Sequence, residues 1–261
     1  MALDEKNAKE PNEAGAPERA VQAVAAGERG GRGSHATEDD ERGVSSVQAV
    51  AAERGERPAA PQPTDRPRVV YVIGGIGSGK SSVSRRLAQL GAPVYDLDAA
   101  GHEALRLPDV KRELRDAFGP GMFDEAGEVA RARLAQAAFA TPEGTAELNR
   151  VTTAAIVGLL DEWLARQAAA GERACVVEVS AYDGPQGRFP APDETLAVVA
   201  PLEARVARAV AKGFSEADVR ARIARQATDD ERRAWADAVI VNDGTPEELN
   251  AAVDAWWQAR G

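Results

Sequence analysis

One cysteine, Cys175, is all the thiol chemistry the chain has, which excludes an internal disulfide framework and a four-cysteine metal site and makes a reducing compartment the expectation. Cys175 sits in an apolar run and reads as a small buried filler rather than a reactive thiol. Positive charge is also short: 32 Lys and Arg stand against 42 Asp and Glu, a formal net charge of -10. A sequence-independent grip on nucleic acid or an anionic membrane needs a cationic surplus, so neither partner is expected, and any anionic ligand must be held by a local site. No run approaches the roughly 18 consecutive apolar residues of a membrane-crossing helix. The start, Met1-Ala2-Leu3-Asp4-Glu5-Lys6, lacks the basic-then-apolar order of a secretion signal. A cytoplasmic protein is the expectation, and its oligomeric state is unknown.

The absences continue locally. Residues 1–67 contain no Phe, Trp, Tyr or Ile, and their few Val and Leu are scattered among Ala, Gly, Glu, Arg and Pro. Such a segment buries too little apolar surface to offset the entropy of ordering its chain, so a disordered extension is expected. It carries a short repeat: Val21-Gln22-Ala23-Val24-Ala25-Ala26 returns as Val47-Gln48-Ala49-Val50-Ala51-Ala52. The two copies read either as duplicated low-complexity tail or as transient helices for a partner. The Pro-rich stretch 58–67 reads as a linker into the folded part, residues 68–261.

From Val69 the texture changes to short β-branched runs alternating with longer helical patterns, the mark of a parallel α/β sheet. Strands are expected at residues 69–73, 93–95, 174–179, 195–200 and 238–241, mostly as continuous apolar runs of the kind a sheet covered on both faces requires. Between the second and third strands lie about 75 residues with helical patterns, including 109–118 and 142–166. A helical, acceptor-side insertion over about 99–168 is therefore expected. The last helix has the clearest start signal, with Thr245 as N-cap, Pro246 at the first position and Glu248 completing a capping box.

Directly after the first strand comes Gly74-Gly75-Ile76-Gly77-Ser78-Gly79-Lys80-Ser81, which fits G-x-x-x-x-G-K-[ST] at every fixed position. Glycines let the backbone curl so that successive N–H groups, Gly75 through Ser82, face phosphate oxygens, and the following helix adds the positive end of its dipole. Lys80 is expected to reach the β- and γ-phosphates of ATP, with the Ser81 hydroxyl in the Mg²⁺ shell. A GTPase would need a guanine-reading Asn-Lys-x-Asp and a transporter ATPase a Leu-Ser-Gly-Gly-Gln, and the chain has neither. A small-molecule kinase needs less: the cradle, a metal, an acceptor base and cations that close over the transferring phosphate.

Val94-Tyr95-Asp96-Leu97-Asp98 supplies the base at the carboxyl end of the second strand, where ligands of open parallel sheets bind. Strand alternation would turn Asp96 and Asp98 the same way, one to accept a hydroxyl proton and the other to orient it. The alternative is that Asp98 simply caps the next helix. Arg205, Arg208 and Lys212, three and four apart, share a helical face and are candidate closing cations, followed by Arg220, Arg222 and Arg225. Solvated surface is the alternative for both groups.

These segments, in this order, resemble the dephospho-coenzyme A kinase family. Its P-loop carries the same Gly-Gly-Ile-Gly-Ser-Gly wording, and Leu90-Gly91-Ala92-Pro93-Val94-Tyr95-Asp96-Leu97-Asp98 with His102 resembles its second-strand segment, which implies that Asp98 is the catalytic base. Phe118-Gly119, Gly127 with Arg131, Leu134 and Phe139, and Leu148-Asn149 resemble its helical acceptor domain. Lys212 to Gln226 resembles its lid, placed at about 205–226, and Ala236-Asp237 with Asn242 and Gly244 its last strand and adenine-side loop. The chain departs from the family pattern where Thr153-Ala154 replaces His-Pro and where Ser180-Ala181-Tyr182-Asp183-Gly184 replaces Pro-Leu-Leu-Phe-Glu.

The resemblance implies a P-loop NTPase fold, a five-stranded parallel sheet flanked by helices with a helical acceptor-binding insertion and a helical lid. It also implies phosphorylation of dephospho-coenzyme A, a small-molecule substrate, with ATP and Mg²⁺. Asp98, Lys80 and Arg208 would be catalytic, and the P-loop, Lys212 and Asn242 would bind nucleotide. Asp96, His102 and Arg131 would meet the acceptor, packing being the alternative for His102. Two other functions share the ATP site: a kinase for another nucleoside-like or sugar-like alcohol, and an ATP-binding regulatory module with a decayed acceptor site.

Overall fold

The computed structural model describes residues 49–51 and 66–260. Ala49–Ala51 form a short strand, β1. From Arg68 onward the α/β alternation read from the sequence is present: β2 Arg68–Ile73, α1 Lys80–Gln89, β3 Val94–Asp96, and then a helical block of α2 Leu97–Ala104, α3 Pro108–Phe118, α4 Arg131–Ala138 and α5 Pro142–Ala169. Two strands follow, β4 Ala174–Val179 and β5 Glu194–Val199, then α6 Leu202–Val210, α7 Glu216–Arg225, α8 Asp229–Trp235, β6 Ala238–Val241 and α9 Pro246–Gln258. No helix among the described residues is long and apolar enough to cross a membrane.

The strand order is β1-β6-β5-β2-β4-β3. Strands β2 to β6 pair in parallel, so the expected five-stranded parallel sheet is present, and β1 adds a sixth strand antiparallel to the β6 edge. That strand lies inside the extension expected to be disordered and within the second copy of the repeat, where it is extended rather than helical. An edge strand offers a row of unpaired N–H and C=O groups, and pairing it needs backbone, not apolar side chains. The first copy of the repeat and the linker to residue 65 lie outside the described residues. At the start of the next described stretch, the Arg66 guanidinium makes two 2.7 Å bonds to Asp193 while the same carboxylate accepts the Val69 N–H at 2.8 Å.

Period-two alternation splits the sheet's apolar residues between two layers. On one face Val70, Val72, Val176, Leu196, Val198 and Ile240 pack on α1 and α9 through Val83, Leu87, Val253 and Trp256. On the other, Tyr71, Ile73, Val177, Val179, Ala197 and Val199 meet Leu160 of α5, with Trp163, Tyr182 and Trp235 beside them. Cys175 is fully buried in β4, and burial pushes its thiol up to about 11, as expected of a filler. The helical block has a core of its own, built from Val110, Leu114, Leu134, Leu148 and Val151 among others. Helix α5, 28 residues long, serves both cores: its first half presents Leu148 and Val151 to the block, its second half Leu160 to the sheet. A span of roughly 42 Å at 1.5 Å per residue is what lets one helix join the two.

The start signals are present where expected. Thr245 accepts the Glu248 N–H at 3.2 Å and Glu248 accepts the Thr245 N–H at 2.7 Å. Thr228 and Glu231 form a second such box at the start of α8, which the sequence analysis passed over. Leu87 is fully buried between α1 and the sheet, whereas Leu202 is 48% exposed. Leu87→Ala is expected to lower the free energy of unfolding by about 2–5 kcal/mol, and Leu202→Ala by less than about 0.5 kcal/mol, both read from urea denaturation.

Candidate active site

Strand β2 lies at the centre of the sheet, between β5 and β4, so the loop that leaves its carboxyl end opens into the middle of the crevice. Two of its glycines are held where a side chain could not be: Gly77 at φ 73° and Gly79 at φ 107°. A Cβ at Gly79 would run into the Asn242 amide, and one at Gly77 into the Arg205 carbonyl. Three residues distant in sequence brace the loop from outside. Asn242 Nδ2 donates to Ser78 O at 2.8 Å, Arg205 Nε donates to Ile76 O at 3.0 Å, and Gln226 Oε1 accepts the Ile76 N–H at 3.0 Å. The expected Ser78 is fully buried behind the loop, and Asn242 touches both loop and cavity.

A cavity of about 830 Å³ opens over this loop. Gly75, Ile76, Gly77 and Gly79 line it with Lys80, Ser81 and Ser82. Asp96, Asp98 and His102 enter from α2 and its approach, and Arg208 and Lys212 from the opposite side. Thus all but two of the expected site residues meet in one space. Ser78 is one exception, and Arg131 is the other. Arg131 is the first residue of α4, which packs against α3 and α5 in the helical block, and it borders neither this cavity nor the smaller one beside it.

Asp96 and Asp98 both face the crevice, but not by strand alternation. The strand ends at Asp96, which is the N-cap of α2: its Oδ1 accepts the N–H of Asp98 at 2.8 Å and of Ala99 at 3.1 Å. Asp96 therefore takes the capping role that was the alternative for Asp98, and leaves Asp98 in the first helical turn with its carboxylate directed inward. Burial raises the pKa of Asp98; the Ser180 hydroxyl, hydrogen-bonded to the carboxylate, and the Lys80 charge act the other way. Asp98 and His102 also border the second cavity, about 70 Å³, between α2, α5 and the loop after β4.

Lys80 is 7% exposed and its Nζ lies 3.4 Å from Gly75 O. Burial brings its pKa down to about 8, with Arg232 and Arg205 lowering it further and Glu178 and Asp98 opposing. Glu178, at the end of β4, was missed in the sequence; it accepts a 2.7 Å bond from Ser81 Oγ and borders the cavity. The signal was there: it is the lone acid in an apolar strand, one residue from the carboxyl end where ligands bind. Hydroxyl and carboxylate together suit a divalent cation bound mainly by phosphate and water, since no cluster of three His, Cys, Asp or Glu occurs among the described residues.

The candidate cations divide. Arg205 is 5% exposed and held by Ile76 O and by Asp229 at 3.2 Å, so it braces the loop instead of closing over a ligand. Arg220 pairs with Glu203 and Glu216 at 2.8 Å each, on the surface. Arg222 and Arg225 border the cavity. So does Arg232, 4% exposed and bonded to Asp229 at 3.0 Å, which sequence periodicity could not single out among the charges of α8.

The two perturbed groups set opposite limits on pH. If Lys80 holds phosphate it does so as a cation, and with its pKa lowered to about 8 the affinity for a nucleoside triphosphate should fall as pH rises through 8. Calorimetric titration from pH 6.5 to 9.5 should show this fall, and Lys80→Met should remove it along with most of the affinity.

The family model for dephospho-CoA kinase matches residues 68–248. The dephospho-CoA kinase of Corynebacterium jeikeium is 40% identical over 194 residues, 72% of this chain and 97% of that one. That of Deinococcus radiodurans is 37% identical over 200 residues, 76% of this chain and 94% of that one. The crystal structure of TT1252 from Thermus thermophilus superposes with a TM-score of 0.65 at 34% identity, covering 75% of this chain and 99% of that one. A dephospho-CoA kinase structure from Campylobacter jejuni, 19% identical, shares the fold with a TM-score of 0.51, covering 74% of this chain and 97% of that one. With a braced phosphate loop, an inward carboxylate and these relatives along nearly their whole length, the chain belongs to the dephospho-CoA kinase family.

Proposed function

We propose that this chain transfers the γ-phosphate of ATP to the ribose 3′-hydroxyl of dephospho-CoA, giving CoA and ADP. The observation that carries the proposal is the position of Asp98, which borders both the large cavity over the phosphate loop and the small cavity beneath the helical block. A base at that junction meets an acceptor hydroxyl on one side and the terminal phosphate on the other. In this proposal residues 68–261 are the kinase domain, with about 99–168 the acceptor side and about 205–226 the lid, and residues 1–67 an extension outside the chemistry.

Asp98 accepts the proton of the hydroxyl, whose oxygen forms the new bond to the γ-phosphorus as the bond to the β–γ bridging oxygen breaks. Lys80 and Arg208 face the oxygens on which charge accumulates, and Lys212 and Arg232 add to that field. Arg208 is held for this by two 3.1 Å bonds to Asn242 O. Ser81 and Glu178 would hold Mg²⁺, which when bound would neutralise charge on the phosphates. Burial raises the pKa of Asp98, which brings it nearer the working pH of a general base. A cytoplasmic location is part of the proposal, supported by the free, buried Cys175.

A kinase for another nucleoside-like alcohol is favoured by one observation: Thr153 and Ala181, at the positions departing from the family pattern, both border the small cavity. A coupled ADP-release assay across a panel of alcohols separates the two. ADP release is expected with dephospho-CoA; release only with a different alcohol would select the second, and ATP binding without release on any alcohol would leave a regulatory module. Asp98→Asn should lower turnover by on the order of 10²- to 10⁴-fold with ATP binding retained. Turnover of the unaltered enzyme should fall as pH drops and Asp98 is protonated; full activity of the variant would remove Asp98 from the role.

A further inference from the structure

The segment after β4 is where this chain departs most from its family pattern, and it returns a cation to the acceptor side. Tyr182 pins the segment, its ring edge-on to Tyr71 at 6.0 Å and to Trp235 at 5.7 Å. Asp183 then closes the turn, its carboxylate accepting the Arg188 N–H at 3.3 and 3.4 Å. The Arg188 side chain, only 20% exposed, runs back to the small cavity, where Nη1 donates to Asn149 Oδ1 at 2.9 Å and Nη2 to Ala181 O at 3.3 Å.

Both of those acceptors are neutral. Asp183 Oδ2 stands 3.7 Å from Nε, beyond hydrogen-bond reach, and Nε is buried without a hydrogen-bond partner. The two more deeply buried arginines, Arg205 and Arg232, each bond directly to Asp229, at 3.2 and 3.0 Å, although Arg205 Nη2 is likewise buried without a partner. Both have a carboxylate hydrogen-bonded to the guanidinium, whereas Arg188 has Asp183 only as an ion pair at 3.7 Å with no side-chain hydrogen bond between them. A guanidinium has five donors and does not shed its proton, so a half-buried one with donors to spare can receive an anion, and its planar fork suits phosphate oxygens.

We propose that Arg188 is an acceptor-specificity residue, its guanidinium taking a phosphate oxygen of the acceptor's 5′ diphosphate while Asp98 takes the 3′-hydroxyl. Both residues line the same small cavity of about 70 Å³, so a single ligand entering it can reach both. The assignment rests on the function proposed above for the identity of the acceptor. Its own content is narrower: this position distinguishes phosphate-bearing from neutral acceptors.

The test compares dephospho-CoA with adenosine, which offers the same hydroxyl and no phosphate, in the full-length enzyme and in Arg188→Gln and Arg188→Lys. For Arg188→Gln the KM for dephospho-CoA should rise roughly 10- to 100-fold, with the KM for ATP and kcat/KM for adenosine changing less than about threefold. Arg188→Lys should fall between, keeping charge but losing the fork. Where adenosine turns over too slowly to follow, it enters as a competitive inhibitor and its Ki carries the comparison. Equal losses on both compounds would make Arg188 a brace for its loop and overturn the assignment, as would an unchanged KM for dephospho-CoA. If circular dichroism shows Arg188→Gln unfolded, Arg188→Lys decides by the same criteria. An unaltered enzyme that ignores dephospho-CoA would sink the acceptor, not Arg188, whose role is then read from adenosine 5′-monophosphate against adenosine.

Discussion

A loop of main chain can offer its N–H groups to phosphate only if something else holds its far side, and here that support comes from three side chains remote in sequence. Asn242 donates to Ser78 O, Arg205 donates to Ile76 O, and Gln226 accepts the Ile76 N–H. Each arrives from a different element: the end of β6, helix α6 and the turn after α7. The sheet positions the first, since β6 joins β5 and β5 joins β2. The second depends on Asp229, which bonds Arg205 and Arg232 together and so couples the brace of the loop to a cation at its mouth. A small apolar cluster of Val206, Ala209 and Val219, with Ile76 against it, docks α6 and α7 on the same loop.

This arrangement explains how an acidic chain holds a polyanion. Net charge of -10 governs the average surface, but Lys80, Arg208, Lys212, Arg222, Arg225 and Arg232 converge on one cavity. Desolvation makes such charges costly when empty, as the lowered pKa of Lys80 records, and effective when an anion arrives. Glu178 and Asp98 temper the field without cancelling it. Arg220, paired on the surface with Glu203 and Glu216, shows what a charge of the same helix does when it points away from the site.

The phosphate loop was legible because its chemistry is contiguous: eight residues contain the turn, the cation and the hydroxyl. The five parallel strands were legible to within one residue, since apolar runs buried on two faces leave little freedom of assignment. Asp98 was found for a reason that fails, strand alternation, although it is a first-turn helical residue presented by the cap at Asp96. Arg205 looked like a partner of Arg208 because spacing reports a shared face, not what that face meets. Glu178 and Arg232 escaped because one carries no motif and the other sits among several like charges. Strand β1 escaped because edge pairing draws on backbone groups that every residue owns.

Composition, apolar periodicity and the phosphate-loop motif were enough by themselves to determine the α/β class, the five parallel strands and the phosphate loop, while the family came from the resemblance of several segments in order. Tertiary structure alone decided which cations face the cavity, which brace the loop, that Ser81 meets Glu178, and that Arg188 returns to the small cavity. The division has a physical cause: secondary structure and a local turn are set by neighbours a few residues apart. The charge environment of a side chain is set by whatever folding brings beside it, and for Arg205 and Ile76 that is a separation of 129 residues.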